Sequence, residues 1–132
     1  MCVGGRLLWH DASCRVVLVS DADYAGYCRV IWNSHVREMT DLSNTQRAHC
    51  MRVVFAVEAA LRHALAPDKI NLASFGNMAP HLHWHVIPRF TDDAHFPNPV
   101  WGKRRRSNTA SAMPRTRAAL RASIVRQLEK SL

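Results

Sequence analysis

Short apolar runs broken by turn chemistry fill the first thirty or so positions, and a long helical period follows them. Residues 6–9 are a short strand candidate, and His10-Asp11-Ala12-Ser13 has the composition of a turn. Residues 15–19 are β-branched and almost continuously apolar, as a strand covered on both faces requires. Residues 20–26 break that run. Residues 27–32 read as the next strand, antiparallel to its predecessor because the connection is short. An irregular connector over 35–42 leads to Ser43-Asn44-Thr45-Gln46, which fits a capping box. Beyond it Met51, Val54, Val57, Leu61 and Leu65 recur at intervals of three and four, with Arg47, Arg52, Glu58 and Arg62 among them. That pattern predicts one amphipathic helix of about five or six turns, stopped by Pro67-Asp68.

Residues 69–75 read as a strand and 76–80 as a turn. His81-Leu82-His83-Trp84-His85-Val86-Ile87 then alternates strictly, the period of a strand and not of a helix. His81, His83 and His85 are expected on one face, with Leu82, Trp84 and Val86 on the other. Residues 91–109 are rich in Pro, Asn and Asp and read as loop. Pro114 suits a first helical position. Leu120, Ile124, Leu128 and Leu132 then form an i, i+4 stripe for a terminal helix that docks on the body or on a partner subunit. The elements predict an α+β fold, a mostly antiparallel sheet of about five strands packed against one long helix, plus a C-terminal helix. Residues 1–100 are read as the domain and 101–132 as a basic C-terminal extension with a helix.

Composition narrows the class. With 132 residues, 48% hydrophobic and 21% charged, the chain is long enough for one domain with a core. No run approaches the ~20 apolar residues of a membrane span, and no basic stretch followed by an apolar one marks a leader. Cys2, Cys14, Cys28 and Cys50 lack C-x-x-C spacing and read as reduced thiols of a cytoplasmic protein. Of the formal charge of +8, residues 1–100 carry none, and residues 101–132 hold nine basic residues against Glu129 alone. Such a tail can bind nucleic acid or another polyanion, but a solvated helix face or surface-hugging arm accounts for it more simply.

The histidine face is the part that packing does not explain, since each imidazole brings a donor and an acceptor to satisfy. A metal site is one reading. Along a strand neighbouring members stand ~6.6 Å apart and the outer two ~13 Å apart. All three therefore cannot meet one ion held at ~2.1 Å without strain, and further ligands would have to come from His35, His49, His63, Cys50 or Cys2. Binding without chemistry is a second reading. The third, which uses every part of the motif, is attack on phosphorus by a neutral imidazole. A neighbouring imidazole then serves the phosphate or leaving group, and the Gly76-Asn77 turn offers amides to phosphate oxygens.

The stretch from His81 to Ile87 matches the signature His-φ-His-φ-His-φ-φ, and on it the chain resembles the histidine triad (HIT) superfamily of nucleotide hydrolases and transferases. The surroundings agree: a strand bearing Asn71, the Gly76-Asn77 turn, the long helix, and a segment from Val30 to Val36 similar to the family's strand ending in Pro-Lys-x-His. The resemblance covers about residues 6–90. It implies His83 as a nucleophile that forms a covalent nucleotidyl intermediate at the α-phosphate. It further implies His85 as the contact to phosphate or leaving group, and His81 as support. Asn71 is implied near the ribose and phosphate; Gly76, Asn77 and Asn33 complete the substrate-binding set. A homodimer is implied, with no cofactor and no catalytic metal. Met78 stands where relatives often carry a small hydroxyl residue, and Trp32-Asn33 replaces Pro-Lys. Some bacterial relatives hold a structural zinc through a C-x-x-C, a helix histidine and a triad histidine. Here His49 remains, but of the cysteine pair only Cys2, so no zinc is expected. The Val86-Ile87-Pro88-Arg89 ending is more similar to the dinucleoside-polyphosphate hydrolases, such as those that cleave diadenosine tetraphosphate, than to the phosphoramidases. A nucleoside phosphoramidase is the first alternative, and a nucleotide- or nucleic-acid-end-binding protein with little turnover the second.

Overall fold

A computed structural model describes residues 5–107 and 117–131; Cys2, Pro114 and Leu132 lie outside the described residues. Strands β1 (Arg6–His10), β2 (Cys14–Leu18), β3 (Cys28–Trp32), β4 (Lys69–Ala73) and β5 (His83–Arg89) form a sheet in the order β1-β2-β3-β5-β4. Every pairing is antiparallel. Among the described residues the two helices are α1 (Asn44–Leu65) and α2 (Arg117–Ser131), and a 3₁₀ turn, Met39–Asp41, precedes α1. This is the α+β architecture that the periodicities predict.

The hairpin turn between β1 and β2 is built by Asp11, whose Oδ1 accepts the amides of Ser13 (2.9 Å) and Cys14 (2.8 Å). Helix α1 begins at the predicted box: Ser43 Oγ accepts the Gln46 amide, and Gln46 Oε1 accepts the Ser43 amide at 2.8 Å. It ends one residue before Pro67, at Ala66, which takes a left-handed φ of +48° and donates its amide to the Arg62 carbonyl.

The buried face of α1 is wider than the stripe read from the sequence. Cys50, Val53, Ala56 and Ala60 are buried beside Val54, Val57 and Leu61, while Met51 and Leu65 sit at the edge. The reason is α2, which packs on α1 and reaches β1, so α1 meets the sheet along one side and a second helix along another. Leu120, Ile124 and Leu128 of α2 are buried in the same core as Val16, Val30, Leu82 and Val86 from the sheet. The terminal helix thus docks on the body. Among the described residues no helix is long and apolar enough to cross a membrane.

With both helices on one face, the other face of the sheet is left for the histidines. Register fixes what stands there: Arg29 opposes His85 and Ile31 opposes His83 across β3 and β5, and Ala73 of β4 flanks His85 on its other side. Further along, Ile87 of that face is covered by Tyr24, Tyr27 and Ala94.

Candidate active site

The histidine strand is shorter than its alternation suggests. β5 starts at His83, and His81 lies before it. Two bonds account for this. The Leu82 amide donates to the Val36 carbonyl, and the Leu82 carbonyl accepts the Trp32 amide, so residue 82 is tied to the connector beyond β3. His81 is thereby drawn aside: its Nε2 bonds the Trp32 carbonyl and its Nδ1 lies 3.0 Å from His35 Nδ1.

His83 and His85 line one wall of a cavity of about 420 Å³, within the range of small-ligand sites. Their ring centroids are 4.9 Å apart at an interplanar angle of 80°. His83 Nδ1 donates to the His81 carbonyl at 2.6 Å. That bond fixes the tautomer, because a carbonyl only accepts, and it leaves a lone pair on Nε2. The contact from His81 to His83 is thus made by its main chain.

His85 is held differently. Its Nδ1 lies 2.6 Å from the Tyr27 hydroxyl, and it is almost fully buried. Burial, then the neighbouring His83 and Arg29, bring its pKa down to about 4, so it is neutral near pH 7. Burial also raises the Tyr27 phenol, against the charge and hydrogen bond of Arg29. With the tyrosine proton directed to His85 Nδ1, the phenol is the donor of this bond and the imidazole the acceptor. The imidazole hydrogen of His85 then sits on Nε2.

Of the residues singled out from sequence, His83, His85, Gly76 and Asn77 meet in this cavity, with Gly76 turning the chain at a φ of +77°. His81 borders an adjoining groove that His83 also lines. Asn71 and Asn33 stand apart from the cavity. Asn71 Oδ1 accepts from Arg89 Nη1 at 2.7 Å, on the far side of the buried Arg89–Asp93 pair. Asn33 braces the first hairpin, accepting from Arg15 Nη1 and donating to the Asp11 carbonyl. Asn33 is engaged through both polar ends and Asn71 through its oxygen, in bonds that hold the fold.

Five lining residues were not visible in the sequence pattern: Arg29 and Ile31 from β3, Phe75 after β4, Ala79 of the following turn, and Trp101 from the loop beyond β5. Trp101 stacks edge-on with Phe75 (centroids 4.7 Å) and with His85 (5.0 Å). An aromatic in a Pro- and Asn-rich loop was the one available signal for it. Metal-ligand chemistry among the described residues is confined to Asp11, Cys14 and His49, whose ligand atoms lie within 4.8 Å of one another, away from the cavity. Asp11 already accepts two amides and bonds His49 Nε2 at 2.7 Å, and burial raises the Cys14 thiol far above its ordinary range. The trio reads as a tie between the hairpin and α1.

Comparison with known proteins agrees with this geometry. The family model of the HIT domain matches residues 4–92. No curated protein matches the chain. Among solved structures, a histidine triad protein from Marinobacter aquaeolei VT8 is similar at 28% identity and a TM-score of 0.75, over 97% of this chain and 91% of that one. A histidine triad protein from Bradyrhizobium japonicum is similar at 27% identity and a TM-score of 0.71, over 96% and 90%. A hypothetical histidine triad nucleotide-binding protein from Sulfolobus tokodaii strain7 shares the fold at 20% identity and a TM-score of 0.64, over 97% and 86%.

Proposed function

The chain belongs to the HIT domain family, a family of nucleotide hydrolases and transferases, and we propose that it cleaves (di)nucleoside polyphosphates at the α-phosphate through a nucleotidyl-His83 intermediate. The observation that carries this reading is the asymmetry of the two cavity histidines. His83 has its Nδ1 committed to a backbone carbonyl and a free lone pair on Nε2, while His85 is fixed as a neutral partner beside it.

In the proposed first step His83 Nε2 attacks the α-phosphorus, an N–P bond forms, and the P–O bond to the leaving group breaks. The imidazole ring gains positive charge, which the His81 carbonyl stabilises through Nδ1–H. His85 offers Nε2–H to a phosphoryl or bridging oxygen, and the Gly76-Asn77 turn provides further polar contacts. Water then attacks phosphorus, the N–P bond breaks back to His83, and the proton of the water leaves to solvent.

The low pKa of His85 supports the polyphosphate branch. A neutral imidazole is a hydrogen-bond donor but a poor proton donor, since losing that proton would make an anion. A polyphosphate departs as a stable anion and needs no proton, whereas an amine leaving group does. Incubation with diadenosine tetraphosphate, ATP and an adenosine phosphoramidate tests the reading. The anhydrides are expected to turn over faster than the phosphoramidate; products from none of the three would contradict it, and nucleotide affinity without products would make the chain a binding protein.

A further inference from the structure

Among the described residues, Arg29 is the one charged residue lining the histidine cavity, and no acidic residue lines it. It projects from β3 directly across from His85, on the same sheet face. Its position contrasts with those of other arginines that have partners. Arg89 is paired with Asp93, Arg104 with Asp23, Arg15 with Asn33, and Arg106 donates to two backbone carbonyls. The Arg29 guanidinium carbon lies 5.8 Å from the Tyr27 ring centroid, and its Nε is buried with no hydrogen-bond partner among the described residues.

A half-buried guanidinium without a carboxylate is an uncompensated charge, costly unless something anionic completes it. Its planar fork matches two oxygens of one phosphate, a geometry that an ammonium group cannot copy. The apolar remainder of the cavity, Ile31, Phe75, Met78 and Trp101, offers no such anion and weakens screening of the charge. We propose that Arg29 binds the phosphoryl group of the nucleotide, holding it between the β3 guanidinium and the His83 and His85 imidazoles. This rests on the nucleotide reading above and adds to it the residue that selects for the charged group. The positive charge of Arg29 already reaches His85 and Tyr27, whose titrations it depresses, as it would reach a phosphate beside them.

Calorimetric titration of the full chain with AMP and with adenosine separates the possibilities. The unmutated protein is expected to favour AMP. Arg29→Gln should weaken AMP about 10- to 100-fold, the range of a charged hydrogen bond, and leave adenosine unchanged. Arg29→Lys should recover part of the loss, because it restores charge without the fork. An AMP-to-adenosine preference that survives in Arg29→Gln would overturn the assignment and leave the nucleotide reading standing. Binding of neither compound to the unmutated protein would overturn both. As a check that needs no folded variant, the Arg29 Nε–H resonance of the unmutated protein should shift with AMP and stay in place with adenosine; a resonance indifferent to AMP would count against the role.

Discussion

His83 and His85 are the same residue type two positions apart, yet their surroundings hold them in different ways. The difference lies in the partner of Nδ1: a carbonyl for His83, and a buried phenol for His85. Alternation in the sequence identified the pair, because period two is a local property of the chain. It could not identify Tyr27 and Arg29, since which residue stands opposite His85 depends on the register of β3 against β5, more than fifty positions away. Nor could it foresee that His81 falls outside the strand, an outcome of the Leu82 bonds to Val36 and Trp32. His85 and Asp93 both contribute to the pH dependence of stability. His85 titrates at about 4 in the fold, below the ordinary imidazole value of ~6.5. Its contribution is full above pH ~6.5 and is lost as pH falls toward and through about 4. Asp93 is raised by burial but brought down to about 2 by Arg89 and the amides of Phe90, Phe96 and His95. Its contribution is present above pH ~4 and disappears as pH falls through about 2. Melting temperature is therefore expected to decline from pH 7 to 4 and to drop further below; in His85→Gln the decline between 6.5 and 4 should shrink. An unchanged slope in that variant would refute the assignment for His85.

At the scale of elements, local signals were read correctly where the physics is local. The capping box at Ser43 and Gln46 and the five strands follow from short stretches of sequence. The extent of the α1 apolar face did not, because part of what covers it is α2, at the other end of the chain. The stripe of Leu120, Ile124 and Leu128 is the element-level feature most open to challenge, as a narrow apolar face among arginines. Its burial makes α2 part of the core. Ile124→Ala is expected to cost about 2–5 kcal/mol in chemical denaturation, the range for truncating a buried aliphatic side chain. A cost under about 0.5 kcal/mol, typical of surface changes, would mean that α2 does not dock as described.

The whole molecule separates packing from chemistry by the two faces of one sheet. Helices α1 and α2 cover one face, and β5, central between β3 and β4, presents His83 and His85 on the other. The chain beyond β5 crosses back to deliver Trp101 to the cavity, and part of the charge of the basic region secures that path. Arg104 pairs with Asp23, and Arg106 donates to the carbonyls of Asp93 and Phe96. In the sequence the same charge shows only as part of a net +8, for which a solvated helix face or surface-hugging arm is a simpler account than polyanion binding. The central claim, a covalent bond from His83 to the nucleotide, is tested most directly by intact-mass spectrometry of protein quenched in base during turnover of diadenosine tetraphosphate. The expected result is an adenylate adduct that maps to His83 and is missing, along with product, in His83→Ala. Turnover by His83→Ala at the unmutated rate, or an adduct that maps elsewhere, would contradict it.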